Sequence, residues 1–286
     1  MKIVVTTPTG NVGSRVVRLL LQAGTRPTLF LRDPAKLDAE TRARCEIVEG
    51  DQRDGDAVAR ATEGADALYW VAPPTGDDDP VSTWAEMGSQ AARAVAENGV
   101  ARVVFQSSVG AGKRVGAGEI DGLAATEEAF DRSGASVTHL RCGMFFTNLL
   151  LDPLTDGVLR VTWPVDLALP WVDPRDIGDI AAARLLSTAW SGRVVQAVHG
   201  PAHLSYAGIA EVLSEVLGRP IRAEQIPDDD MRAALRSLGM SDGQIEALLG
   251  MSIGLREGFV AENPRSALTT TPTTLAAWAY EHLRAG

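Results

Sequence analysis

Short β-branched runs alternate with longer stretches of helical period through the first half of the chain. Residues 2–6, 28–31, 45–48, 67–72, 102–106 and 137–141 read as strands, each bounded by turn residues. Between them, residues 12–23 place Val12, Val16, Leu19 and Leu20 on one helical face and stop at Gly24. Residues 56–62, 81–98 and 123–133 carry the same period. Strands alternating with helices are the sequence form of βαβ units, so the pattern predicts an α/β fold with a doubly wound parallel sheet.

From Phe145 onward the rhythm loosens into short apolar pieces with Pro and Trp. Residues 170–173 add a strand, 176–187 a helix packed back on the sheet, and 194–198 a last strand. Residues 205–286 read mainly as helices, clearest over 205–217 and 273–283. The expected division is a nucleotide domain over residues 1–145 and a smaller, mostly helical substrate-binding part over 146–286. Segments within about 170–200 return to the main sheet. Residues 76–79, glycine followed by three aspartates, read as an acidic, mobile loop.

Composition narrows the function classes. The chain has 286 residues, 45% hydrophobic and 22% charged, the balance of an ordinary globular enzyme. A formal net charge of −10, with Lys2, Lys36 and Lys113 as its only lysines, argues against nucleic-acid binding, which needs concentrated cations. No run reaches the ~18 apolar residues of a membrane helix, and no signal peptide is legible, so a cytoplasmic protein is expected. Cys45 and Cys142 sit in apolar runs without metal-ligand spacing and read as buried free thiols. The four histidines are separated and imply no metal; His139 lies in an apolar strand and reads as core.

The candidate chemistry begins at Thr7-Pro8-Thr9-Gly10-Asn11-Val12-Gly13, which follows the first strand and opens the first helix. That context suits a phosphate-binding loop: Gly10 lets the backbone approach a pyrophosphate, Gly13 lets helix and strand pack closely, and free N–H groups face the negative charge. Thr7 stands where the first glycine of G-x-x-G-x-x-G is expected, and its Cβ restricts the turn.

These residues, with Arg32-Asp33-Pro34-Ala35-Lys36, Gly50-Asp51, Val71-Ala72-Pro73-Pro74 and Gln106-Ser107-Ser108, resemble the NmrA-like branch of atypical short-chain dehydrogenases, which are NAD(P)-binding Rossmann proteins. The segment from Ser133 to Arg141, then Phe145, Phe146 and Asn148, and Trp171-Val172-Asp173-Pro174-Arg175-Asp176-Ile177 extend the resemblance over nearly the whole chain. It implies that Thr7, Thr9, Gly10, Asn11, Val12 and Gly13 hold the cofactor's phosphates. Arg32 would receive the adenosine 2′-phosphate, with Lys36 one turn on, so that NADP(H) is preferred; Asp33 next door also allows NAD(H). By the same resemblance Asp51 and Gln52 meet the adenine side, and Val71, Ala72, Pro73 and Ser107 line the ribose and nicotinamide. Asp51 could equally cap the helix that follows it.

The Tyr-x-x-x-Lys pair of many short-chain dehydrogenases is absent: Tyr69, Tyr206 and Tyr280 have no lysine four residues on. Alignment puts Glu119 where the tyrosine would fall and Leu123 where the lysine would fall. Ser108 is the candidate for polarising a carbonyl, and Lys113 in the next loop the candidate to reach the same cleft. Either could instead be satisfied locally or lie on the surface. Phe145, Phe146, Asn148 and Trp171 are candidates for stacking an aromatic or quinone-like acceptor, or core.

The resulting expectation is an NAD(P)H-dependent oxidoreductase that reduces a small quinone, enone, imine or ketone. Two other readings stay open: a cofactor-binding sensor that meets a protein partner, and a biosynthetic enzyme using the cleft for a non-redox reaction.

Overall fold

The computed structural model describes residues 1–151, 154–256 and 261–284. Seven of its strands form one parallel sheet: β1 (Ile3–Thr6), β2 (Thr28–Leu31), β3 (Glu46–Glu49), β4 (Ala67–Trp70), β5 (Arg102–Ser108), β6 (Ser136–Cys142) and β10 (Arg193–Val198). Their order is β10-β6-β5-β4-β1-β2-β3, so the winding reverses between β1 and β4. That reversal opens a crevice at the carboxyl ends of these two strands, where doubly wound sheets bind their ligands.

Helices cover both faces. The first is α1 (Gly13–Gln22), followed by the short α2 (Ala39–Arg44) and α3 (Gly55–Thr62). Next come α4 (Pro80–Glu97), α5 (Ile120–Asp131) and α6 (Pro174–Leu186). Side-chain alternation along the strands decides which face each residue serves. Ile3, Val5, Leu29, Tyr69 and Val104 join the core under α1 and α6, whereas Val4, Phe30, Leu68, Trp70, Val103 and Phe105 join the core under α3, α4 and α5. Arg15 on α1 pairs with Asp179 on α6 at 2.6 Å. Both faces being covered explains why these strands are apolar runs rather than alternating ones.

The remaining strands build a second core. In one small sheet β7 (Met144–Phe145) and β11 (His203–Leu204) flank β9 (Leu169–Val172); in the other β8 (Val158–Val161) pairs with β12 (Arg222–Gln225). With α7 (Tyr206–Leu217) and α10 (Leu275–Leu283) they enclose Phe146, Trp163, Trp171, Leu213 and Trp278. Two further helices, α8 (Asp228–Ser237) and α9 (Asp242–Arg256), complete the described C-terminal half.

Several expectations are corrected here. Of the stretch 170–200, β10 joins the main sheet and α6 packs on it, while the strand over 170–173 is β9, paired instead with β7 and β11. The strand expected to run to Ala72 ends at Trp70, since Val71 turns its N–H to the Thr6 hydroxyl at 3.0 Å. The loop over 76–79 is tied rather than loose: Asp77 pairs with Arg53 at 3.3 Å, Asp79 caps α4 through the Ser82 N–H, and Asp78 accepts from the Gly243 N–H of α9. Cys45 and Cys142 are both free and buried.

Candidate active site

The loop between β1 and α1 is shaped by contacts of the chain with itself. Thr7 takes a left-handed backbone, φ 52°, which a β-branched residue rarely adopts, and its carbonyl accepts the Gly10 N–H at 3.1 Å. Gly13 is obligatory there, because a Cβ would run into that Thr7 carbonyl. Val12 is the N-cap of α1 and supplies no side-chain cap, and among the described residues the N–H groups of Asn11 and Val12 find no acceptor. Unsatisfied donors at the positive end of a helix form an anion site, and these fit a pyrophosphate. The first glycine of the motif is therefore replaced without losing the turn.

A cleft runs from this loop over β2 and β3, lined by Thr7, Thr9, Arg32, Lys36, Asp51, Gln52 and Pro73 among others. It thus gathers seven of the residues expected to bind cofactor. Gln52, nearly buried, fixes the wall by donating from Nε2 to the Val71 carbonyl at 2.8 Å and accepting the Thr7 hydroxyl at 3.3 Å. Arg32 and Lys36 are exposed at the rim and make no ion pair among the described residues. Asp33 turns back on its own chain, its Oδ1 accepting the Ala35 N–H at 2.9 Å. Asp51 accepts the Arg53 N–H at 3.0 Å, and the cap of α3 is Asp54, not Asp51. Val71 and Ala72, just before Pro73, are half-buried.

Sequence reasoning missed Arg53, Phe30, Thr75 and Met87 in this wall. Arg53 donates to the Thr75 carbonyl at 2.8 Å, joining the loop after β3 to the loop after β4. Its adjacency to Gly50-Asp51-Gln52 was the available signal.

The acceptor side departs more from expectation. Ser108 donates to the neighbouring Val109 carbonyl at 2.9 Å. The Ser107 hydroxyl points under the sheet and donates to Glu127 at 2.7 Å, so it does not face the cofactor. Lys113 is an exposed loop residue whose Nζ donates to the Gly116 carbonyl, which removes it from the cleft. Phe146 and Trp171, expected to stack the acceptor, are 1% exposed and serve the second core, Phe146 against Trp278 and Trp171 against Tyr206. Phe145 packs half-buried on the main core and Asn148 is exposed on the turn Phe146–Leu151. Trp84 on α4 reaches toward this side, its indole N–H donating to the carbonyl of the cleft residue Pro73 at 2.9 Å.

Beneath this side lies a buried ion cluster. Glu127 receives Nε and Nη2 of Arg141 at 3.0 and 2.7 Å as well as the Ser107 hydroxyl, and Arg114 approaches within 3.3 Å. Burial alone would raise the Glu127 carboxyl, but Arg141, His139 and Ser107 outweigh it and hold it below its ordinary value. His139 bonds Asp131 at 2.8 Å and is held low by burial, as befits a core imidazole. Tyr69 is likewise unavailable: its phenol donates to Gln106 at 2.6 Å inside the core, and burial pushes it up. Among the described residues no cluster of His, Cys, Asp and Glu could hold a metal ion.

A family model described as NAD(P)H-binding matches residues 8–153. A phosphate-bearing furanone reductase of Streptomyces griseus, (4-alkanoyl-5-oxo-2,5-dihydrofuran-3-yl)methyl phosphate reductase, is 34% identical over 239 residues, 82% of this chain and 80% of the relative. The chain belongs to the NAD(P)H-binding family. An NAD(P)H azoreductase of Xenophilus azovorans is 27% identical over 252 residues, covering 84% of this chain and 82% of the relative. The fold of this NAD(P)H-binding protein matches that of the NADPH-dependent quinone oxidoreductase of Escherichia coli, crystallised with NADPH, at a TM-score of 0.83. That pair is 24% identical, with 99% of each chain covered. The NmrA-like, atypical short-chain dehydrogenase character read from the motifs agrees with these findings. No described helix is long and apolar enough to cross a membrane.

Proposed function

We propose that this NAD(P)H-binding protein is a reductase of small organic acceptors that draws on NADPH in preference to NADH. The observation that carries the preference is electrostatic. Arg32 and Lys36 flank the adenosine end of the cleft as cations unpaired among the described residues, while Asp33, the carboxylate that could have taken ribose hydroxyls, accepts the Ala35 N–H. A guanidinium and an ammonium suit a 2′-phosphate and gain little from a bare ribose.

Within that reading the chain's own residues divide the work. Asn11, Val12 and the α1 N-terminus hold the pyrophosphate; Asp51 and Gln52 wall the adenine side; Val71, Ala72 and Pro73 lead the cofactor to the carboxyl ends of β4 and β5. NADPH supplies hydride when bound. The acceptor lies between that crevice, Trp84 and the loop after β5. The relatives named azoreductase, quinone oxidoreductase and furanone reductase all reduce small unsaturated molecules, which supports acceptors of the quinone, azo or enone kind.

The test is a titration of the protein with NADPH and NADH, followed by nicotinamide fluorescence and thermal shift, then NADPH oxidation against quinones, azo dyes and enones. NADPH tighter than NADH, with turnover of one class, is the expected result. Binding without turnover across the panel would return the sensor reading; no binding at millimolar cofactor would leave only a non-redox use of the cleft.

A further inference from the structure

A helix that follows a strand of a parallel sheet runs back antiparallel to it, so the first turn of α5, the crossover from β5 to β6, stands near the carboxyl ends of those two strands. The buried face of α5 is marked by Ile120, Gly122, Thr126, Glu127 and Phe130. At about 100° per residue, Glu119 falls within that arc, in line with Leu123, Thr126 and Phe130. Phe130 lies against Trp70 and Phe105, with ring centroids 6.3 and 5.6 Å away. Glu119 is about 16 Å of helix axis further on, which carries it past the last residues of both strands.

Three elements fix Glu119 at that corner. Its N–H donates to the Ala247 carbonyl of α9 at 3.2 Å, and Gly118 before it has room only for hydrogen against the α9 backbone. Gly122, one turn on, packs against Val81 and Trp84 of α4, and Trp84 holds the Pro73 carbonyl. Glu119 therefore lies where the loop after β4, α4, α5 and α9 meet. Its carboxyl is half-buried and, among the described residues, makes no hydrogen bond or ion pair. Burial is the one cause acting on it, and it pushes the acid up from its ordinary value.

The charged side chains of the surrounding elements are engaged elsewhere. Asp121 accepts the Gly116 and Ala117 N–H groups, Lys113 donates to Gly116, and Arg114 serves Ala124 and Glu127. Asp79 on α4 caps Ser82, Glu86 on α4 is exposed, and Glu246 on α9 pairs with Arg232. A half-buried carboxylic acid without a partner among the described residues, beyond the carboxyl end of β5, is unusual for a merely structural residue.

We propose that Glu119 is the proton donor of the reduction, an assignment that rests on the reductase reading above. The acceptor's C=O, C=N or N=N bond gives its π pair to the heteroatom as hydride supplied by NADPH forms the new bond at the other atom. The Glu119 O–H breaks and its proton goes to that heteroatom. The nicotinamide is oxidised and the acceptor reduced by two electrons, and the Glu119 carboxylate regains a proton from water, which its partial exposure admits. The benefit depends on how basic the heteroatom becomes. A hydroquinone oxygen, with a pKa near that of tyrosine at about 10, takes its proton from solvent readily, whereas reduced azo nitrogen or alkoxide needs a positioned acid. The assignment thus favours azo, imine or ketone acceptors over quinones.

Glu119→Gln and Glu119→Asp test it with three readouts. NADPH affinity by fluorescence should stay unchanged in both. With an azo or ketone acceptor, kcat of E119Q should fall about 100-fold and that of E119D less, while the loss with a quinone stays within about 10-fold. In the cofactor-free protein, a carboxyl raised by burial makes the wild type lose thermal stability relative to E119Q as pH rises from the acid range toward neutrality. Unchanged kcat in E119Q with a basic acceptor, or a wild-type–E119Q stability difference that ignores pH, overturns the assignment and leaves the reductase reading standing. Failure of the wild type to oxidise NADPH with any acceptor overturns both.

Discussion

Arg141 on β6 and Glu127 on α5 form a two-pronged ion pair, 3.0 and 2.7 Å, with Glu127 wholly buried and Arg141 5% exposed. The pair joins the helix that carries Glu119 to the strand beneath it. Removing one partner strands a buried charge, which costs more than removing both. Arg141→Met is expected to cost about 3–5 kcal/mol, and Glu127→Leu/Arg141→Met together much less than the sum of the singles. Urea unfolding of the three variants checks this; additive losses would show that the two residues act separately.

Arg32 and Lys36 should set cofactor choice without touching stability. Both are exposed and unpaired among the described residues, so their replacement exposes no unsatisfied group. Charge-assisted bonds contribute about 1.5–3 kcal/mol each, so Arg32→Ala is expected to weaken NADPH at least 10-fold. NADH affinity and the melting temperature should hardly move. Parallel fluorescence titrations read the ratio directly, and an equal loss for both cofactors would remove the 2′-phosphate role.

Gly13 tolerates no side chain. A Cβ would meet the Thr7 carbonyl and lie 3.2 Å from the Pro8 Cα, both backbone atoms that cannot swing aside. Gly13→Ala is expected to cost about 1–3 kcal/mol by overpacking and to raise the NADPH Kd as the loop shifts. A calorimetric melt and a cofactor titration of the same preparation measure both effects. A variant with normal Kd would show that the loop does not carry the phosphates.

His199 should shape the acid limb of stability. It is fully buried with neither ring nitrogen bonded among the described residues, and burial, then Arg265 and His203, pushes it down to about 4. Above pH ~6.5 the imidazole is neutral folded or unfolded and contributes no pH dependence. Below that the unfolded chain takes up the proton first, so stability falls with pH until the folded value is passed. At pH 5 the loss is about 2 kcal/mol. His199→Phe should flatten that limb in denaturant titrations between pH 7 and 5; an unchanged slope would assign the acid loss elsewhere.

The sequence by itself determined most of the elements and named seven residues that the structure gathers along one cleft. Period-2 and period-3.6 patterns located the strands of the sheet, because burial on both faces forces apolar runs such as residues 28–31 between helices. The turn Thr9-Gly10-Asn11-Val12-Gly13 was legible because it is local: its free N–H donors, its turn and the helix it opens lie within a few consecutive residues. Arg32 and Lys36 were legible for the same reason, standing just after β2.

What only the tertiary structure decided is where side chains of similar chemistry point. Ser107 and Ser108 are adjacent, yet strand alternation and a glutamate twenty positions later send one hydroxyl under the sheet and leave the other on its own backbone. Phe146 and Trp171 were plausible acceptor platforms until Trp278 and Tyr206, from helices distant in sequence, covered them. Glu119 appeared in the sequence as a missing tyrosine. Its place among the loop after β4, α4 and α9 arises from contacts across as many as 128 positions, from Glu119 to Ala247. Local spacing carries no information about such contacts, because they are set by which surfaces bury one another when the whole chain packs.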